Sequence, residues 1–226
     1  MTRHNGQMSN LRIVIAVAAL LAGSCAGAAA TPGSQVPELS DQARAAGFVD
    51  VRSVVPDATI DLRYATANNF VGQQLYPADA RCLVHESLAP GLATAAAALR
   101  GRGRTLVFWD CYRPHTVQVR MFEVVPNPNW VARPGSLARS HETGRSVDVT
   151  TADAYGRLSE MGTGFDDFSP AATAFASGIT ARATAERAAL RDAMSAGGLA
   201  YYSGEWWHFD GPGAGVGRAI LDVPVN

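Results

Sequence analysis

The sequence has no basic block. Its 19 Lys and Arg residues are balanced by 20 Asp and Glu, for a formal net charge of −1. Nucleic-acid binding needs a surface that neutralises phosphates, and a membrane patch needs clustered cations, so this balance excludes both as partners. Cysteine is scarce, at 3 residues with no C-x-x-C pair, which excludes a cysteine-based zinc site. No apolar run reaches the ~20 residues that a bilayer-spanning helix requires. Two hydrolase signatures are also missing. "HET" at His141 lacks the second histidine of an H-E-x-x-H zincin helix, and Ser140 has no G-x-S-x-G elbow around it.

What is present fits one globular domain: 226 residues, 47% hydrophobic and 17% charged, long enough to bury a sizeable core. The first thirty residues stand apart. Arg3 and Arg12 precede the apolar run "IVIAVAALLA" and the small-residue stretch "GSCAGAAA", which is the layout of a secretory signal peptide. Residues 1–30 are therefore expected to be removed on export to the periplasm or cell envelope. A membrane-spanning helix is the competing reading, and the apolar core is short for it. "AGSC" ending at Cys25 resembles a bacterial lipobox and leaves a lipid anchor at Cys25 as a second mode of export. Residues 31–47, polar and broken by prolines, are expected to be a linker and frayed lead-in, with the folded domain over 48–226. In an oxidising compartment Cys82 and Cys111 either form a disulfide or remain as two small buried thiols.

Periodicity predicts an α+β domain with a central, mostly antiparallel sheet flanked by helices, since helices and strands mix without a regular βαβ repeat. "FVDVRSVV" and "ATIDLRYA" alternate as half-buried strands do. Leu88, Leu92, Ala95 and Leu99 recur at helical spacing between a candidate cap at Ser87 and a stop at Gly101. "TLVFWD" predicts a buried strand and "HTVQVRMFEVV" a helix ending before Pro126. An alanine-rich helical stretch is expected over residues 170–196, broken near Gly178, and a turn and final strand in "GGLAYYSGEWWHFD".

The chemistry concentrates in two places. "RSHETGRSVDVT" carries His141 and Asp148 across a Thr143–Gly144 turn, and Val147 and Val149 would anchor a strand whose opposite face displays Asp148. "GEWWHFD" carries His208 three residues after Glu205. Two imidazoles and one carboxylate make a three-ligand zinc site with a fourth position for water, and Glu205 is the candidate base. Each residue also has an ordinary structural reading: a hydrogen-bonded histidine, an aspartate paired with Arg145, aromatic packing in "EWW".

Together the segments "DLRYATANNFVGQQLY", "ARCL", "DCYRP", "SHETGRSVDVT", "MGTGFDDF" and "EWWHF" resemble, in the same order, those of the D-alanyl-D-alanine dipeptidases of peptidase family M15, the family that includes the vancomycin-resistance dipeptidase. The resemblance runs from about Val49 to Asp210. It implies a Hedgehog/DD-peptidase-like fold and one Zn²⁺ per chain on His141, Asp148 and His208. It also implies Glu205 as catalytic base, Arg113 as the group steadying the transition state, and Asp166 as the reader of the substrate's amino group. Many relatives carry a serine two residues before the first ligand; here that place is Arg139, with Ser140 beside it as a candidate substrate contact. The implied reaction is hydrolysis of the D-alanyl-D-alanine dipeptide to two D-alanines. A D,D- or L,D-carboxypeptidase acting on peptidoglycan stem peptides is the nearest alternative, and a non-catalytic zinc protein binding wall peptide is one of another class. Strand geometry adds one expectation: Glu205 and His208 would face opposite ways in a regular strand, so a bend or bulge is predicted at Gly204–Trp207.

Overall fold

Five strands carry the site. The computed structural model of the chain describes residues 36–226; the signal-like segment 1–30 and Cys25 lie outside the described residues. The sheet combines β2 (Thr59–Ile60), β4 (Thr105–Asp110), β5 (Ser146–Ala152), β7 (His208–Asp210) and β6 (Ala200–Tyr201) in that spatial order. The β2–β4 pair is parallel, and the other pairs are antiparallel. A separate ladder pairs β1 (Phe48–Asp50) with β3 (Leu83–His85). Three longer helices complete the α+β domain: α2 (Ala89–Arg100), α3 (His115–Val124) and α4 (Ala181–Ala196). Among the described residues no helix is long and apolar enough to cross a membrane.

β5 is the centre of the molecule. All seven of its residues are buried, so it is covered on both faces. Val147 and Val149 join Leu92, Leu99, Leu106 and Phe108 in the core, where each fully buried large aliphatic side chain contributes about 1.5–3 kcal/mol. Neighbouring β4 shifts register between Phe108 and Asp110, so that Asp110 opposes Asp148. Such a bulge re-aims side chains at the end of a strand, and here it turns a buried carboxylate toward the site. Cys82 and Cys111 form a disulfide, which ties the start of the β3 ladder to the residue following β4.

Several elements differ from the sequence expectation. Within the expected linker 31–47, a short helix α1 (Asp41–Ala45) forms, capped by Ser40 Oγ accepting from Ala43 N–H. Arg81 fastens this lead-in by donating to the carbonyls of Pro37 and Glu38 at 2.6 and 2.9 Å. The strand in "FVDVRSVV" stops after three residues because Asp50 Oδ1 accepts from the Arg52 N–H, opening a 3-10 turn over Val51–Ser53. β2 likewise spans two residues. Ser87 does not cap α2; it lies inside a 3-10 turn, Glu86–Leu88, and its N–H donates to His85 Nδ1. Most of the first half of the alanine-rich stretch is not helical. Arg187 of α4 donates to the carbonyls of Met161, Ala171 and Thr173 at 2.6–3.0 Å, which takes the acceptors a helix through that segment would need.

Candidate active site

The four residues Ser140–Thr143 form a 3-10 turn that delivers His141, and Gly144 reverses the chain into β5. Gly144 has a φ of +62°, and a Cβ there would drive into the Phe48 ring, so both conformation and space demand glycine. Four residues on, Asp148 sits opposite His208 of β7 in the antiparallel register. Local turn and sheet pairing thus bring together residues separated by up to 67 positions in sequence.

Three donor atoms converge. His208 Nδ1 lies 2.9 Å from Asp148 Oδ1 and 3.1 Å from His141 Nε2, and the third side of the triangle, His141 Nε2 to Asp148 Oδ1, is 3.3 Å. Zinc–ligand bonds of ~2.0–2.2 Å in tetrahedral geometry put ligand atoms roughly 3.3–3.6 Å apart; the His141–Asp148 side meets that spacing and the two sides at His208 are shorter, so a small spreading of His208 opens the triangle to a metal of that size. The remaining ring nitrogens are engaged elsewhere. His141 Nδ1 is 2.8 Å from the Cys111 carbonyl, and His208 Nε2 is 3.1 Å from Asp210 Oδ1. These contacts fix which nitrogen of each ring faces the cluster, as the outer partners of metal-bound imidazoles do.

The electrostatics of the cluster call for a cation. Burial would raise the Asp148 carboxyl, but the two imidazoles hold it well below the usual carboxylate range. Burial would lower the His208 imidazole, yet its bonds to Asp148 and Asp210 push it up to about 10. A proton on His208 and a divalent ion answer the same excess of buried negative charge.

Glu205 sits on the turn between β6 and β7, where the Tyr202 N–H bonds the His208 carbonyl across it. The chain therefore bends within the predicted Gly204–Trp207 region, and Glu205 Oε2 comes to 4.0 Å from His208 Nδ1. Burial, reinforced by the Asp148 charge, pushes the Glu205 carboxyl up to about 7 against the pull of His208, His141 and Arg113. A carboxyl in that range can both accept and return a proton near neutrality.

Arg113 is held by partners that the sequence reading left without a role. Its Nε and Nη2 donate to Asp110 Oδ2 at 2.9 and 2.6 Å, and its Nη1 donates to Gln118 Oε1 at 2.8 Å. Asp110 is fully buried and its other oxygen accepts from Tyr76 Oη and the Cys111 N–H. The guanidinium is thereby fixed with its Nη2 3.8 Å from Asp148 Oδ2 on the cavity wall. Asp110→Ala would leave Arg113 as a buried charge without its counter-ion. A loss of about 3–5 kcal/mol is expected, measured by urea denaturation.

Asp166 borders the same cavity of about 380 Å³. Its backbone adopts φ +54°, a left-handed conformation that aspartate tolerates better than most residues, and its Oδ2 accepts from Tyr64 Oη at 2.9 Å. Burial and the Asp148 charge raise its carboxyl well above the usual range, and a cation set against it would favour the ionised form. Ser140 also borders the cavity, at φ +49°, but its hydroxyl donates to Ser146 Oγ, which donates in turn to Asp210. Its hydrogen serves the support of His208, while the residue keeps its place on the cavity wall. Asp210 is thus the end of a relay reaching one imidazole, a role that needs tertiary pairing to see. Asp210→Ala is expected to weaken metal binding roughly 10–100-fold, checked by titration against a competing chelator. His85 and His115 stay outside the cluster, paired with Arg145 and Glu142.

The family model for "D-ala-D-ala dipeptidase" matches residues 44–226. The chain belongs to the D-ala-D-ala dipeptidase family. It is accordingly a metallopeptidase, and dipeptide hydrolysis is the reaction class of the family. The D-alanyl-D-alanine dipeptidase of Escherichia coli (strain K12) is 34% identical over 175 residues, covering 77% of this chain and 90% of that protein. The namesake enzymes of Enterococcus faecium and Streptomyces coelicolor are 29% and 30% identical, covering 80% and 72% of this chain and 98% and 90% of their own lengths. Among solved structures, the LdcB LD-carboxypeptidase aligns with a TM-score of 0.45 at 18% identity, over 81% of this chain and 72% of that one. That likeness is too distant to inform on substrate. The D-ala-D-ala dipeptidase model begins inside α1, and the compact unit reaches back to Val36.

Proposed function

We propose that this protein is a zinc-dependent, exported dipeptidase that hydrolyses D-alanyl-D-alanine to two D-alanines. The observation that carries the reading is the convergence of His141, Asp148 and His208 donor atoms in a triangle of 2.9–3.3 Å, with the Glu205 carboxylate 4.0 Å from His208 Nδ1. His141, Asp148 and His208 would hold the zinc, which would supply Lewis acidity toward a peptide carbonyl and a water.

The chain's own groups divide the remaining work. Glu205 takes a proton from the attacking water and returns one to the leaving amine nitrogen. Arg113, immobilised by Asp110 and Gln118, offers its Nη hydrogens to the oxygen on which negative charge develops. Removal of one such donor typically costs ~2.7–4 kcal/mol in the barrier. Asp166 grips the substrate's ammonium with a charge-assisted bond. Arg139, exposed at the cavity edge with its Nε on the Gly215 carbonyl at 3.3 Å, adds positive charge suited to a free carboxylate. Recognition of both termini favours a dipeptide over longer chains.

Export is supported by the Cys82–Cys111 bridge, a feature of oxidising compartments, together with the signal-like residues 1–30. An enzyme so placed meets wall fragments outside the cytoplasm, which favours turnover or salvage of wall peptides.

The test is alanine release from D-Ala-D-Ala by zinc-loaded protein, with and without a chelator, beside a stem pentapeptide. Chelator-sensitive cleavage of the free dipeptide alone is expected. Cleavage of the pentapeptide in its place would establish the carboxypeptidase alternative, and cleavage of neither would overturn the hydrolase reading.

A further inference from the structure

The cavity is larger and more aromatic than two alanine methyls require. Its volume of about 380 Å³ lies within the ~300–1,000 Å³ range of pockets that enclose drug-sized ligands, whereas the side chains of dialanine are two methyl groups. The surplus wall is continuous. Tyr64 meets Phe70 edge-on at 6.4 Å between ring centroids, Phe70 meets Phe168 at 5.1 Å, and Phe168 stacks on Trp130 at 5.2 Å with 5° between the planes. All four rings line the cavity, and at its rim Trp130 and Leu137 remain 46% and 45% exposed. Large apolar side chains left open to water beside a binding cleft gain from an apolar occupant.

The wall has a defined place relative to the substrate. It starts at Tyr64, the residue that donates to Asp166, and it includes Phe168, two residues beyond Asp166 on the same loop. A substrate whose ammonium is held by Asp166 has its first Cα one bond from that nitrogen and its first Cβ two bonds away. The side chain next to the aromatic wall is therefore that of the amino-terminal residue. We propose that Phe70, Phe168 and Trp130 form a side-chain subsite, and that the enzyme takes dipeptides whose amino-terminal residue bears a large apolar or aromatic side chain. This rests on the dipeptidase reading and on Asp166 as the amine grip.

The experiment compares kcat/KM of the zinc-loaded protein for D-Phe-D-Ala, D-Ala-D-Phe and D-Ala-D-Ala, in the native chain and in the Trp130→Ala, Trp130→Phe and Phe168→Ala variants. The expected result is a preference of roughly tenfold or more for D-Phe-D-Ala over D-Ala-D-Ala, lost in either alanine variant and retained in Trp130→Phe. Faster cleavage of D-Ala-D-Ala than of D-Phe-D-Ala would overturn the subsite and leave the dipeptidase reading standing. So would a preference for D-Ala-D-Phe, or a D-Phe-D-Ala preference that survives both alanine substitutions. Failure to cleave any dipeptide would overturn the reading beneath it. Titration of D-Phe-D-Ala into the zinc-loaded Glu205→Ala variant separates binding from turnover: saturable binding weakened by adding Phe168→Ala supports the subsite, and unchanged binding refutes it.

Discussion

Glu205→Ala is expected to keep its full complement of metal and lose about 10²–10⁴-fold in kcat, the usual contribution of a positioned acid–base group. The separation of the two effects follows from geometry. Glu205 approaches the cluster from the turn between β6 and β7, 4.0 Å from His208 Nδ1, while the three converging donors come from β5, β7 and the turn before β5. Its removal leaves that triangle and both outer imidazole contacts in place. Elemental analysis and steady-state kinetics on one preparation decide the matter. Equal turnover would remove Glu205 from the chemistry, and loss of metal would make it a ligand.

His208→Ala has the complementary signature. Two donors remain, Asp148 keeps its buried negative charge, and the Ser140–Ser146–Asp210 relay ends on nothing. Metal should be lost on dialysis and activity with it, restored only partly by a large excess of zinc. Full occupancy after dialysis, measured by elemental analysis, would exclude His208 from the coordination sphere. The same variant bears on stability, because Asp148 keeps His141 but loses the second of its two imidazoles, and Asp210 loses the imidazole that most favours its ionised form.

The residues that converge on the candidate site were legible in the sequence because each lies in a short contiguous motif. His141 and Asp148 share one turn-and-strand, Glu205 and His208 one turn. Their supports were not legible. Asp110 stands inside the quoted "DCYRP", yet its role depends on Tyr76, 34 positions away, and on a bulge in β4 that no alternation pattern marks. Asp210 meets the His208 imidazole two positions away, but the hydroxyl that supports it comes from Ser146, 64 positions away. Fold class followed from the mixture of periods, whereas element ends did not. Asp50 and Arg187 stopped a strand and a helix by capturing backbone groups, and such captures leave no trace in hydrophobic spacing.

The Cys111 carbonyl that receives His141 Nδ1 belongs to a half-cystine. The peptide aligning one imidazole is thus anchored to a second ladder of the molecule through sulfur, at a point where no metal donor resides. A thiol reductant could slacken the grip on the ion while leaving all three donors chemically intact. Sulfur oxidation during maturation and the tightness of the metal centre therefore share one short piece of main chain.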